Sequence, residues 1–209
     1  MQHLSTLMTT PEDWIQEPIP QSVLVDIDET PGWLSLDEAA LLYHLARQTI
    51  EGSIIEIGSY RGRSTIALAK GALAGGNRPI YAIEPHEEFV GVLGGQFGPE
   101  DRCAFFQVML KTASYKNVRL VNLSSEIITP GWKEPVSLLW IDGDHSYQGV
   151  KNDYECWKNH LASQSHIAFD DATDQRLGPY KLIKEIIQSG EFEPVISIGK
   201  VTVVKAAEI

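Results

Sequence analysis

Acids and glycines gather at the ends of four short apolar runs in this sequence. Glu56 and Gly58 close Ser53-Ile54-Ile55-Glu56-Ile57, and Glu84 follows Pro79-Ile80-Tyr81-Ala82-Ile83. Asp142 follows Val136-Ser137-Leu138-Leu139-Trp140-Ile141, and Asp170-Asp171 follow the run ending in Phe169. One polar residue at a strand end is ordinary loop punctuation. Four on one rim point to a site, because open parallel sheets bind ligands at their carboxyl ends. The stretch Glu56-Ile57-Gly58-Ser59-Tyr60-Arg61-Gly62-Arg63-Ser64-Thr65 lets the backbone turn sharply and approach a ligand. A helix beginning near Ser64 adds free N–H groups and the positive end of its dipole. The loop is neither a P-loop nor a G-x-G-x-x-G turn, since Tyr60 stands where the second glycine belongs. Glu84, 26 residues after Gly58, can accept hydrogen bonds from both hydroxyls of a ribose, although a solvated strand end is the plainer alternative. Together the loop and Glu84 favour a nucleoside-bearing ligand.

These residues need a scaffold, and the rest of the chain supplies one. Its 209 residues, 43% apolar and 22% charged, fit a single globular domain. Such a domain hides ~70% of its unfolded surface and needs no disulfide or metal to fold. Ser35-Leu36-Asp37-Glu38 is a capping box, and Leu41, Leu42, Leu45 and Ala46 continue it as a helical stripe. Helices are also expected from Ser64 to Ala72, from Pro99, along Val150, Tyr154, Trp157 and Leu161, and from about Pro179 to Ser189 with Gly190 as the cap. Strands are expected at the four runs and at Val118 to Asn122. The runs Phe192 to Ile198 and Val201 to Val204, separated by Gly199-Lys200, read as a hairpin. Strands alternating with helices predict an α/β fold, a mostly parallel sheet covered on both faces with a terminal antiparallel hairpin. Residues 1–34 are expected as an irregular arm punctuated by Pro11, Pro18, Pro20 and Pro31, with the domain over 35–209. Residues 90–98, with four glycines, read as a mobile loop.

Composition narrows the partners. Asp and Glu number 28 against 17 Lys and Arg, a net charge of −11, so phosphate backbones and anionic lipid are poor partners. No apolar run approaches the ~20 residues that span a bilayer. Met1 to Met8 lacks the basic and apolar regions of a signal peptide. Cys103 and Cys156 match no metal-ligand spacing and read as reduced thiols. The expectation is a cytoplasmic protein without nucleic-acid or membrane partners, with self-association left open.

The glycine loop and Glu84 resemble the first two motifs of class I S-adenosylmethionine-dependent methyltransferases, over about residues 36–205. The resemblance implies a Rossmann-like, doubly wound seven-stranded sheet. It further implies that Gly58, Gly62 and their neighbours Glu56, Tyr60 and Ser64 hold the methionine part of the cofactor, Glu84 the ribose, and the region of Ser124 and Ser125 the adenine side. The segment Leu139-Trp140-Ile141-Asp142-Gly143-Asp144-His145-Ser146-Tyr147 is similar to the signature of metal-dependent O-methyltransferases of the macrocin and rhamnosyl group. That likeness implies Asp142, Asp170 and Asp171 as ligands of Mg²⁺ or a similar divalent cation, with His145 as the base. Asp142 and Asp170 are 28 residues apart, as in catechol-type O-methyltransferases.

The chemistry of these residue types agrees. Mg²⁺ takes oxygen ligands and commonly only a few carboxylates plus substrate. It lowers the pKa of a coordinated hydroxyl, and an imidazole can take the proton near neutral pH. The implied activity is methyl transfer from S-adenosylmethionine to a hydroxyl of a small molecule, a sugar or other natural product. The same residues allow plainer roles. His145 could instead open a helix, Asp170-Asp171 could turn the chain, and Asp144 reads as a turn or capping residue. Metal-independent transfer, non-catalytic nucleoside binding and nicotinamide-dependent oxidation are the competing functions. Tyr60 in the glycine loop weighs against the last.

Overall fold

The structure, a computed structural model, describes residues 18–207. In chain order its helices are α1 (Gln21–Asp28), α2 (Leu36–Gln48), α3 (Arg63–Ala74), α4 (Pro99–Thr112), α5 (Ser125–Ile128), α6 (Tyr147–Trp157) and α7 (Gly178–Gln188). Its strands are β1 (Ser53–Ile57), β2 (Ile80–Ile83), β3 (Phe89–Val90), β4 (Gln96–Phe97), β5 (Val118–Val121), β6 (Val136–Ile141), β7 (Leu161–Phe169), β8 (Phe192–Ile198) and β9 (Val201–Ala206). Seven strands form one sheet in the order β5-β2-β1-β6-β7-β9-β8, while β3 and β4 pair separately. The first five run parallel, and β9 returns antiparallel to both β7 and β8. This is the expected α/β architecture with its C-terminal hairpin.

Burial explains why the strands read as unbroken apolar runs. Ile54, Ile80, Leu138, Trp140 and Val203 pack into a core with α2 and α3 on one face. Their neighbours Ile55, Ile83, Leu139, Ile141 and Val204 pack with α6 and α7 on the other. Both faces are covered, so successive positions are mostly apolar, and a buried polar one such as Glu56 must find hydrogen-bond partners.

Strand register assembles the rim. Ile57 pairs with both Ile83 and Ile141, and Ile141 pairs with Phe169. The next residue of each strand donates across to its neighbour: Glu84 N to Val121 O at 3.1 Å, Gly58 N to Ile83 O at 3.1 Å, Asp142 N to Ile57 O at 2.8 Å, and Asp170 N to Ile141 O at 3.0 Å. Glu84, Gly58, Asp142 and Asp170 thus stand in a row. The strand order reverses direction between β1 and β6, where the fold opens a crevice.

The expected irregular arm differs from the structure. Residues 1–17 lie outside the described residues, but 21–28 form helix α1, with Ile27 fully buried in the core. Burying one such side chain contributes about 1.5–3 kcal/mol. Lys70 Nζ lies 3.1 Å from Asp26, and Arg63 Nη1 donates to Thr30 O at 3.2 Å. The sequence hides this helix because Pro20 occupies its N-cap and no side chain caps it. The glycine-rich stretch also differs from a plain loop. It carries the small hairpin of β3 and β4, closed by Gly91 N donating to Gly95 O at 2.9 Å.

Candidate active site

A cavity of about 700 Å³ opens above the carboxyl rim. Its first wall is the loop from β1 to α3. Gly58 has φ of 86°, and a Cβ there would collide with the Asp142 carbonyl, so only glycine lets β1 leave the sheet beside β6. Tyr60, at the position of the missing second glycine, adopts φ of 45° all the same. A neighbouring residue holds it there: His86, itself at φ of 52°, donates from Nε2 to Tyr60 O at 3.1 Å. Asn122 Nδ2 lies 3.0 Å from His86 Nδ1, so both ring nitrogens have a partner. Left-handed backbone at non-glycine residues is costly and concentrates at functional sites. His86 is therefore a structural latch of the loop, missed in the sequence because its partners lie 26 and 36 residues away.

Glu84 lies on the cavity wall. Its Oε2 accepts from Tyr60 N at 3.3 Å and its Oε1 from His86 N at 3.2 Å. Each oxygen keeps a further lone pair for a ligand. Glu56 and Gly62 fall behind the wall. Glu56 is fully buried, accepting from Ser64 Oγ at 2.5 Å and Thr65 Oγ1 at 2.6 Å, so it holds the first turn of α3 instead of facing the cavity. Burial pushes its carboxyl up to about 7, against the pull of these two hydroxyls, with the Glu84 charge adding to the rise. A Cβ on Gly62 would press on Met109 and Phe105 of α4. Ser64 does line the cavity, as does Ser59, whose buried Oγ has no hydrogen-bond partner.

Ser125 lines the cavity and donates from Oγ to Asp153 Oδ1 at 2.7 Å. Asp153 also lines the cavity, and burial pushes its carboxyl up to about 6 while the Ser125 bond lowers it. Its place beside the apolar stripe of α6 gave no signal in the sequence.

The third wall is acidic. Asp142, His145 and Asp170 each offer one ligand atom, all within 4.8 Å of one another. His145 Nε2 lies 3.3 Å from Asp142 Oδ1 and 3.8 Å from Asp170 Oδ2, and its Nδ1 lies 3.7 Å from Asp171 Oδ2. The imidazole therefore stands among all three carboxylates. Asp144 accepts from Ser146 N at 2.9 Å and Ser146 Oγ at 2.6 Å, confirming the turn expected of it. Ser146, not His145, caps α6, and Gly178 N donates to His145 O at 2.9 Å to fix its backbone. Burial pushes Asp142 up to about 7 and Asp170 up to about 8; for Asp170 the next cause is the Asp142 charge. The positive charge of Lys200 opposes both rises.

Lys200 is the residue that spacing could not reveal. Its Nζ donates to Asp170 Oδ2 at 2.6 Å and lies 3.6 Å from Asp171 Oδ1. Phe169 pairs with Thr202 in the antiparallel β7–β9 ladder, so the turn before β9 returns to the acidic rim.

Aromatic side chains roof the cavity. Trp33 stacks on Tyr60 with ring centroids 4.8 Å apart and planes 9° apart. Phe97 meets both edge-on, at 5.7 Å from Trp33 and 5.5 Å from Tyr60. The arm and the hairpin, both read as irregular in the sequence, thus supply the roof.

A glycine loop and a row of acids at the strand ends line one cavity on a Rossmann-like fold. Comparison with known proteins narrows the class. The profile of the methyltransferase domain matches residues 55–172, more than half of the chain, and the chain belongs to that family. Among curated proteins, an uncharacterized protein of Acanthamoeba polyphaga mimivirus is 35% identical over 65 residues. That match spans 28% of this chain and 29% of the relative, so it covers under a third of either. A Podospora anserina methyltransferase solved with SAH superposes with a TM-score of 0.67 at 15% identity, over 92% of this chain and 90% of that one. An O-methyltransferase from Bacillus cereus in complex with SAH gives 0.67 at 16% identity, over 98% and 100%. The O-methyltransferase TomG from Streptomyces achromogenes, involved in tomaymycin synthesis and solved with SAM, gives 0.63 at 13%, over 96% and 100%. At such identities the likeness is one of fold. No helix among the described residues is long and apolar enough to cross a membrane.

Proposed function

We propose that this chain transfers a methyl group from S-adenosylmethionine to a hydroxyl of a small molecule. The observation that carries the reading is the rim itself, where register sets Glu84, Gly58, Asp142 and Asp170 side by side along one cavity. In this reading Glu84 accepts the ribose hydroxyls with its remaining lone pairs. Gly58, Tyr60 and Ser64 face the methionine part, with Ser59 Oγ an unsatisfied donor beside them. Ser125 and Asp153 face the adenine. Glu56 and Gly62 act on the loop from behind.

Asp142, Asp170 and Asp171 suit a divalent cation. They are hard oxygen donors on adjacent strand ends, and Asp170 Oδ1 is buried without a hydrogen-bond partner. A cation held there would make an acceptor hydroxyl more acidic. His145 takes the proton of the acceptor hydroxyl, its backbone pinned by Gly178 and its Nε2 without a hydrogen-bond partner beside the carboxylates. Holding acceptor and methyl donor in line accounts for much of the rate. Lys200 on Asp170 favours a second reading, in which a lysine ammonium supplies the positive charge and transfer needs no metal.

Calorimetric titration with S-adenosylmethionine, followed by methyl transfer to a panel of hydroxyl acceptors with and without EDTA, tests both. Binding is the expected result, and no binding at millimolar cofactor refutes the proposal. Loss of turnover in EDTA supports the metal; turnover that survives both EDTA and Asp170→Ala selects the metal-independent reading.

A further inference from the structure

Asp170 is the most enclosed acid of the cluster, with a side chain 2% exposed. One of its oxygens receives the Lys200 ammonium at 2.6 Å, and the other has no partner. Lys200 is no stray surface side chain. Its N–H donates to Glu38 Oε1 at 2.8 Å, and its carbonyl accepts from Ala172 N at 2.9 Å. Glu38 is in turn fixed by the capping box of α2, where its Oε2 accepts from Ser35 N at 2.7 Å. The backbone of Lys200 is therefore anchored to α2 and to the chain after β7, and it delivers a positive charge to the acidic rim at high effective concentration. An ammonium on Asp170 Oδ2 and a divalent cation on the free Oδ1 of the same carboxylate would stand only a few ångströms apart and repel each other.

We propose that Lys200 is a tethered counter-ion that competes with a divalent cation for Asp170 and so sets the affinity of the site. It neutralises the crowded carboxylates when no cation is present and withdraws its ammonium when one binds. The flexible four-carbon stem permits this while the anchored backbone stays in place. The inference rests on the reading of Asp142, Asp170 and Asp171 as a cation site.

Mn²⁺ titration of the full-length chain, followed by calorimetry and by water proton relaxation, tests it without any turnover measurement. Lys200→Met should bind Mn²⁺ at least about tenfold more tightly than wild type, because one charge-assisted competitor is gone. Lys200→Arg should stay near wild type. The metal-free melting temperature of Lys200→Met should fall and its rise with Mn²⁺ should grow; Lys200→Gln provides the same comparison if the Met variant folds poorly. Equal or weaker Mn²⁺ affinity in both uncharged variants overturns the counter-ion while leaving the cation site standing. Absence of Mn²⁺ binding in every variant, wild type included, overturns the cation site and the competition with it.

Discussion

Glu56→Gln isolates a charge that the fold itself controls. Glu56 is fully buried under the loop between β1 and α3, and burial pushes its carboxyl from 4.5 up to about 7. The folded chain therefore keeps a proton that the unfolded chain has lost, over the window from about pH 4.5 to 7. For an acid raised in this way the stabilisation is complete below the window and declines as pH rises through it. At about 1.4 kcal/mol per pH unit the decline reaches about 3 kcal/mol, with no solvent screening to reduce it. Gln carries no titrating proton, and the hydroxyls of Ser64 and Thr65 can rotate to serve both its carbonyl and its amide. Melting curves of both proteins between pH 4.5 and 8 should therefore diverge. Wild type should lose about 6–12 °C more than Glu56→Gln across the range, at about 2–4 °C per kcal/mol for a chain of this size. Asp153 and Asp170 titrate in both proteins and cancel in the comparison, whereas Asp142 feels the Glu56 charge and rises less in Glu56→Gln. Parallel curves would mean that Glu56 ionises freely in the fold, and the account of its burial would be wrong.

Glu84→Ala should raise the dissociation constant of S-adenosylmethionine ten- to hundredfold in calorimetry, since charge-assisted hydrogen bonds contribute ~1.5–3 kcal/mol and the backbones of Tyr60 and His86 also lose their acceptor. Turnover at saturating cofactor should change much less, because binding common to ground and transition states is what disappears; unchanged affinity removes Glu84 from the site. His145→Ala should lower kcat about a hundredfold or more while cofactor and Mn²⁺ affinities stay within a few-fold, with partial recovery at high pH as solvent takes the proton. Turnover near wild type would exclude His145 as the base.

Much of the site was legible because parallel strands covered on both faces are largely apolar, so the acids and glycines that follow the apolar runs mark the strand ends. Glu84, Asp142, Asp170 and Asp171 were readable for that reason, and Gly58 because the chain needs a conformation that glycine adopts freely. The capping box at Ser35 and the hairpin around Gly199 were local patterns, readable within a few residues. What stayed hidden depends on contacts between distant segments. Helix α1 has no polar cap and is held by Ile27 in the core, while Trp33 and Phe97 become a roof only when the arm and the hairpin meet over Tyr60. Glu56 and Gly62 sat in a readable motif, yet only packing shows that they face the helices behind the cavity wall. His86 gains its partners only when the fold brings Tyr60 and Asn122 to its two nitrogens. Lys200 reads as a turn residue between two strands, and only the antiparallel pairing of β9 with β7 carries its charge to Asp170. Local spacing records which element each residue joins; register and topology, set by burial over the whole chain, determine which charges meet.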